Sequence, residues 1–314
     1  MRKALIIRGG AIGDFILTLP IFEALRSRWP QVDIEVLGYS HVAALAVGRR
    51  HASSVRNVGD AAWAPLFSAG GDLTDSQRRW LAGFDTLISV WPDAGGVIAD
   101  NLRSSGGRAV VSVNPMPPAG NTLHVVEFMA RQCAGAGLPD GHPEPHLYPS
   151  ERDRWWAERF MRVSRAGEQP LLGLAPGSGS PRKNWPASKY ADLARYWVSR
   201  RGGNVLMLAG PADEDAARAF TAAMDGTPFV SLEGEDLPRV AAALERCEIY
   251  VGNDSGPTHM AAAVRTPTVA LFGPTDPAVW APRAPRVRVV ATEDRLAELS
   301  VDEVIAQVEA APRS

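Results

Sequence analysis

Cysteine is scarce: the 314 residues contain only Cys133 and Cys247, far apart and without the close spacing that a bound metal needs. A disulfide framework is thereby excluded, and two buried, reduced thiols are expected. Long apolar runs are missing as well. Nowhere do about twenty uncharged apolar residues follow one another, so no membrane-spanning helix is expected. The apolar run 4–7 behind Arg2 and Lys3 stops at Arg8, too short for the core of a targeting signal, and a cytoplasmic location is expected. A surplus of positive charge is lacking too: 33 Lys and Arg against 35 Asp and Glu leave a net charge of -2. That removes the global electrostatic reason to expect nucleic acid. There is no G-x-S-x-G elbow, no G-x-x-x-x-G-K-[ST] loop, no His/Cys cluster and no D-x-D in the candidate loops, so a metal-free site is expected.

What is present is globular. Hydrophobic residues make up 46% and charged residues 22%, and the length exceeds one average domain, so two compact domains are expected. Short apolar runs at 4–7, 33–37, 86–90 and 109–113 read as strands, with a helix over 14–28 behind the first. Leu17, Ile21, Ala24 and Leu25 give that helix an apolar stripe. The alternation restarts with strands at 171–175, 205–209, 229–231, 249–251 and 268–272. Helices are expected between them at 189–200, 213–224 and 237–246. Strands separated by helices imply a parallel sheet covered on both faces.

The Gly- and Pro-rich stretch 135–149 reads as a linker. The predicted class is therefore α/β: two facing, Rossmann-like, doubly wound domains, 1–148 and 149–314, with a cleft between them. The last helix is open to packing back on the first domain. Ligands in such sheets sit at the carboxyl ends of the strands.

Three loops there carry candidate chemistry. The first, Arg8-Gly9-Gly10-Ala11-Ile12-Gly13-Asp14, has glycines that permit a tight turn and a close ligand approach, Gly10 and Gly13 among them. It lacks the dinucleotide spacing, and Val36-Leu37-Gly38-Tyr39 offers no acid for a ribose. Asp14 fits a helix cap and, equally, a carboxylate aimed at ligand.

The second loop, 175–186, sets small residues beside Arg182 and Lys183, an arrangement suited to phosphate. The third runs Gly252-Asn253-Asp254-Ser255-Gly256-Pro257-Thr258-His259 into an alanine-rich helix whose N-terminal donors suit a diphosphate. Asp254 or Ser255 can cap it, and Ser255 and His259 share a helix face. The likeness of 253–257 to a serine-protease signature fails on context.

Glu214, after the 205–209 strand, can accept from ribose hydroxyls or help start a helix. The turn-rich loop 272–277 can close a pocket. Asp213, Asp215, Glu233 and Glu235 read as solvated.

Four ordered motifs, 8–20 (with Gly13-Asp14 and Thr18-Leu19-Pro20), 176–186, 251–263 and 271–277, resemble the heptosyltransferases of lipopolysaccharide synthesis, glycosyltransferase family 9, over nearly the whole chain. Residues 60–118 match no motif. The resemblance implies the GT-B fold, with the N-terminal half receiving the acceptor. It also implies inverting, metal-independent transfer of L-glycero-D-manno-heptose from an ADP-heptose donor to a hydroxyl of a lipopolysaccharide core.

By the same resemblance Asp14 matches the general base and Lys183 the lysine on donor phosphate. Ser178 lies near phosphate-contacting hydroxyls, and Glu214 matches an acid near the ribose or sugar. Asp254, Ser255, Gly256 and His259 match the diphosphate and sugar loop. The partners implied are a nucleotide-sugar donor and a lipopolysaccharide acceptor. Peripheral membrane contact is open: Arg49, Arg50 and His51, or Arg152, Arg154, Arg159, Arg162 and Arg165, can meet anionic lipid or acceptor phosphates, or simply form a solvated face. No cofactor is implied, because the ADP-sugar is a substrate.

Rival readings are another GT-B nucleotide-sugar enzyme (an epimerase or a different donor), an NAD-dependent oxidoreductase and a non-catalytic nucleotide-sugar sensor.

Overall fold

The computed structural model describes residues 1–140, 144–293 and 295–311 and divides into two compact units, Met1–Tyr148 and Pro149–Ser314. Part of the expected linker, 141–143, lies outside the described residues.

In the first unit the chain runs β1 (Lys3–Arg8), α1 (Ile12–Ile16), α2 (Leu19–Arg28), β2 (Asp33–Gly38), α3 (Ser40–Ala43) and β3 (Ser54–Asn57). It continues through α4 (Asp75–Leu81), β4 (Thr86–Val90), α5 (Val97–Ser104), β5 (Val110–Val113) and α6 (Val125–Gly135). The strands form one parallel sheet in the order β3-β2-β1-β4-β5. Central β1 is apolar on both faces because helices cover both; Ile6 faces Val36 on one side and Ile88 on the other. Leu5, Ile7, Leu37, Leu66, Phe84 and Leu102 form the core on one side.

The helix expected over 14–28 is two. Pro20 lies in the first turn of α2 and has no N–H to continue the ladder from α1. Thr18 Oγ1 instead donates to the Asp14 carbonyl at 2.9 Å, closing α1 with a side chain.

The second unit opens on α7 (Glu151–Val163), followed by β6 (Leu171–Ala175), α8 (Ala187–Arg201), β7 (Asn204–Ala209), α9 (Glu214–Ala223), β8 (Val230–Glu233) and α10 (Leu237–Leu244). Then come β9 (Ile249–Asn253), α11 (Gly256–Ala263), β10 (Thr268–Phe272), α12 (Pro277–Trp280), β11 (Val287–Ala291) and α13 (Val301–Glu309). Its parallel sheet has the order β11-β10-β9-β6-β7-β8. β6, β9 and β10 are buried along their whole length, which is why β6 and β10 read as unbroken apolar runs.

The last described helix stays with its own unit. α13 packs on α8 and β10, and Val304 and Val308 enter the core built around Trp185, Tyr190, Trp197 and Phe220.

Candidate functional site

Both strand orders reverse direction once, between β1 and β4 in the first unit and between β6 and β9 in the second. Crossovers leave such a pair to opposite sides, so a crevice opens at their carboxyl ends. The candidate loops of the sequence follow β1, β6 and β9.

In the first unit, Gly9 lies under the Trp91 ring; a Cβ there would stand 2.3 Å from a ring carbon, so no larger residue fits unless the indole moves. Gly10 turns the chain at φ 97°, a left-handed conformation that favours glycine. Gly13 sits within α1, where its carbonyl accepts from the Leu17 N–H at 2.9 Å. Asp14 stands in the first turn of α1, its side chain 35% exposed. One oxygen accepts the Ala11 N–H at 3.1 Å, and the other lies 3.6 Å from the Arg8 guanidinium.

Arg8, buried at the end of β1, explains that placement. Its head donates to Thr18 Oγ1 at 3.1 Å, to the Asp14 carbonyl at 3.3 Å and to the Val90 carbonyl at 3.4 Å. Burial lowers its pKa, and the Asp14 charge works against that lowering. Asp14 is thus a helix-capping carboxylate with a fixed cation behind it and an open side.

In the second unit, β9 runs two residues further than expected, through Asn253, leaving Asp254 and Ser255 between strand and helix. Asn253 is fully buried and ties the two loops together. Its Oδ1 accepts from the Trp185 N–H at 2.9 Å and from the Tyr190 hydroxyl at 3.0 Å, while its Nδ2 donates to the Pro176 carbonyl at 3.1 Å. Lys183 then reaches Asp254, with Nζ to Oδ2 at 2.7 Å, and His259 Nε2 lies 3.8 Å from Oδ1. Burial pushes the Asp254 carboxyl up, but His259 and Lys183 overcome it and hold it at about 2.

Ser255 occupies the cap position of α11, yet its hydroxyl pairs with Thr258 Oγ1 at 3.3 Å and caps no N–H. Gly256 opens the helix, Pro257 brings no donor, and the Gly256 and Thr258 amides have no side-chain cap. Ser178 braces its own loop through the Ser180 carbonyl at 2.9 Å and Asn184 Oδ1 at 2.5 Å.

One expectation is corrected here. Asp213 is not a solvated carboxylate: it accepts from the Gly179 N–H at 3.1 Å and the Gly210 N–H at 3.2 Å, joining the loops after β6 and β7. A Cβ at Gly177 would stand 2.3 Å from its Oδ1, so this glycine gives the carboxylate room. Beyond it opens a groove of about 740 Å³ between α9 and the ends of β7 and β8, lined by Gly210, Glu214, Ala217, Thr221, Glu233 and Gly234 among others. Asp276 caps α12 by accepting the Ala278 N–H at 2.8 Å.

The basic groups divide. Arg49 donates to the Ala44 and Val47 carbonyls, and His51 is fully buried with Nε2 3.0 Å from Glu23 Oε1. Arg50 lies over the Tyr148 ring. Arg49 and His51 are thus engaged inside the first unit, while the Arg50 side chain is 61% exposed. Arg152, Arg154, Arg159, Arg162 and Arg165 are all exposed, with Arg154 paired to Glu245 and Arg162 to Glu158. No helix among the described residues is long and apolar enough to cross a membrane, and no group of three or more His, Cys, Asp or Glu among them could hold a metal ion.

The model of glycosyltransferase family 9 (heptosyltransferase) matches residues 103–306, from α5 to α13. The chain belongs to glycosyltransferase family 9. It is 26% identical to lipopolysaccharide heptosyltransferase 2 of Salmonella typhimurium strain LT2, over 92% of this chain and 87% of that one. Among solved structures it is similar to a family 9 glycosyltransferase from Veillonella parvula, with a TM-score of 0.82, 21% identity and coverage of 98% and 96% of the two chains. It is similar also to ADP-heptose lipopolysaccharide heptosyltransferase II of Escherichia coli, with a TM-score of 0.77, 21% identity and coverage of 99% and 98%. The fold is GT-B, and the protein is a glycosyltransferase.

Proposed function

We propose that this glycosyltransferase moves a heptose from an ADP-heptose donor to a hydroxyl of a lipopolysaccharide core, inverting the anomeric centre without a metal ion. The observation that carries the reading is the Lys183–Asp254–His259 cluster at the uncapped start of α11, beside the crevice of the second sheet, in a family 9 chain. The ammonium and the helix amides are set where a leaving diphosphate gains charge, the role a metal ion plays elsewhere. Glu214, in the groove beyond Asp213, accepts from the ribose hydroxyls.

The acceptor hydroxyl has a pKa far above neutrality, so its proton must leave as its oxygen attacks the anomeric carbon. Asp14 takes that proton. Arg8, the Ala11 N–H and Thr18 hold it in one place and leave its open side free. The new C–O bond forms as the bond to the ADP phosphate oxygen breaks, and attack from the opposite face inverts the carbon. The oxygen of the diphosphate carries the electron pair away.

The test joins a donor panel to one variant. Wild-type protein should transfer from ADP-heptose and not from UDP- or GDP-sugars. Asp14→Ala should abolish transfer while ADP still binds by calorimetry. Near wild-type turnover of Asp14→Ala would refute the base assignment, and transfer from a UDP- or GDP-sugar would refute the donor.

A further inference from the structure

We propose that Glu233 selects the base of the donor, accepting a hydrogen bond from the exocyclic amino group of adenine and turning away bases that present a carbonyl there. The inference rests on the nucleotide-diphosphate reading above and adds to it the group that reads the base.

The placement follows from strand order. From the crevice outward the sheet runs β6, β7, β8, and neighbouring strands stand about 4.8 Å apart. The loop after β6 carries the phosphate candidates Ser178 and Lys183. The turn after β7 carries Asp213, which joins it to the β6 loop, and then Glu214 at the start of α9. The end of β8 carries Glu233 and Gly234. Two strand spacings are about 10 Å, the reach of a nucleoside from its 5′-phosphate to the far edge of its base.

A diphosphate held at β6 and a ribose held by Glu214 at β7 therefore bring the base to β8. The groove has the matching wall, because Ala217, Thr221 and Ala222 of α9 line it with small apolar surface on which a ring can lie.

At that far end the lining offers a carboxylate. Glu233 is exposed at the strand end and held by the Ser231 hydroxyl, which donates to its Oε1, leaving Oε2 free of that bond. A carboxylate accepts and cannot donate. Set against the purine 6-position itself, it bonds the amino group of adenine and repels the carbonyl that hypoxanthine, guanine and uracil present at the corresponding position; the ring N–H of those bases lies one atom further along the edge, outside that contact. Arg218, the cation that also lines the groove, is paired with Asp215 rather than with Glu233.

The experiment is calorimetry with ADP and inosine 5′-diphosphate, which differ at the purine 6-position, on wild type, Glu233→Ala and Glu233→Gln. Thermal melting checks that each variant is folded. Wild type should bind ADP about tenfold more tightly than inosine diphosphate, the scale of one hydrogen bond to a charged group on an open surface. Glu233→Ala should bring the two within about threefold. Glu233→Gln, whose amide can also donate, should raise the affinity for inosine diphosphate above that of wild type. Equal binding of the two by wild type, or a preference that survives in Glu233→Ala, overturns the role of Glu233 while leaving the nucleotide reading intact. Failure of wild type to bind either nucleotide overturns both.

Discussion

Asp254→Asn keeps the shape of the side chain and one hydrogen-bond acceptor but removes the charge that Lys183 and His259 surround. The Asp254 carboxyl falls from 3.8 to about 2 on folding, a difference of about 2.5 kcal/mol in favour of the charged form. Its side chain is 10% exposed, so solvent screens the pair little, but Lys183 is 33% exposed and the realised figure is nearer 1–2 kcal/mol. A depressed carboxylate stabilises the fold above its unfolded pKa, and that contribution fades as pH falls from about 4 through about 2. Native-state hydrogen exchange of amides in β9 and α11 reads this locally, without requiring the two units to unfold together. At pH 7 the variant should open about 1–2 kcal/mol more easily than wild type, and the gap should shrink toward pH 3. A gap of the same size at pH 7 and pH 3, or no gap at pH 7, would refute the charge argument.

Lys183→Ala should weaken ADP binding by about 1–3 kcal/mol in calorimetry, the range for a charge-assisted contact; unchanged affinity removes Lys183 from the donor site. Gly177→Ala sets a methyl carbon 2.3 Å from Asp213 Oδ1 and must break the bonds from Gly179 and Gly210. A loss of about 1–3 kcal/mol in thermal or urea unfolding is expected, together with weaker ADP binding, and a variant matching wild type in both would show that the loop tolerates the shift.

The interior strands were legible because burial on both faces leaves nothing polar to interrupt them, as in LLGLA of β6 and TVALF of β10. Of the edge strands, β5 and β8 were read, but β3 and β11 were not. β3 reads SVRN and β11 reads VRVVA, each paired on one side only, with polar or charged residues on partly open faces. The division of 14–28 into two helices was written in Pro20, whose missing N–H outweighs the apolar stripe spanning it.

At the candidate site, the loops could be placed from sequence, because glycines and charged residues follow directly on apolar strands. The residues that hold them in place could not. Arg8, Asn253 and Asp213 act across as many as 82, 77 and 34 positions of sequence, which no local spacing encodes. Arg8 left the clearest trace: a guanidinium closing a buried strand must find partners in the turn that follows.

Both units wind their strands in one pattern, since β1-β2-β3 and β4-β5 are arranged about their crevice as β6-β7-β8 and β9-β10 are about theirs. The crevices nevertheless carry opposite lures. In the first unit the cation is sunk into the sheet and a carboxylate looks outward, whereas in the second the carboxylate is sunk and a helix start and an ammonium lie beside it. On the proposed donor reading, a nucleotide diphosphate is repelled at the first crevice and attracted at the second. If the donor and the acceptor each bind at one crevice, as proposed, opposite charge keeps them from trading places.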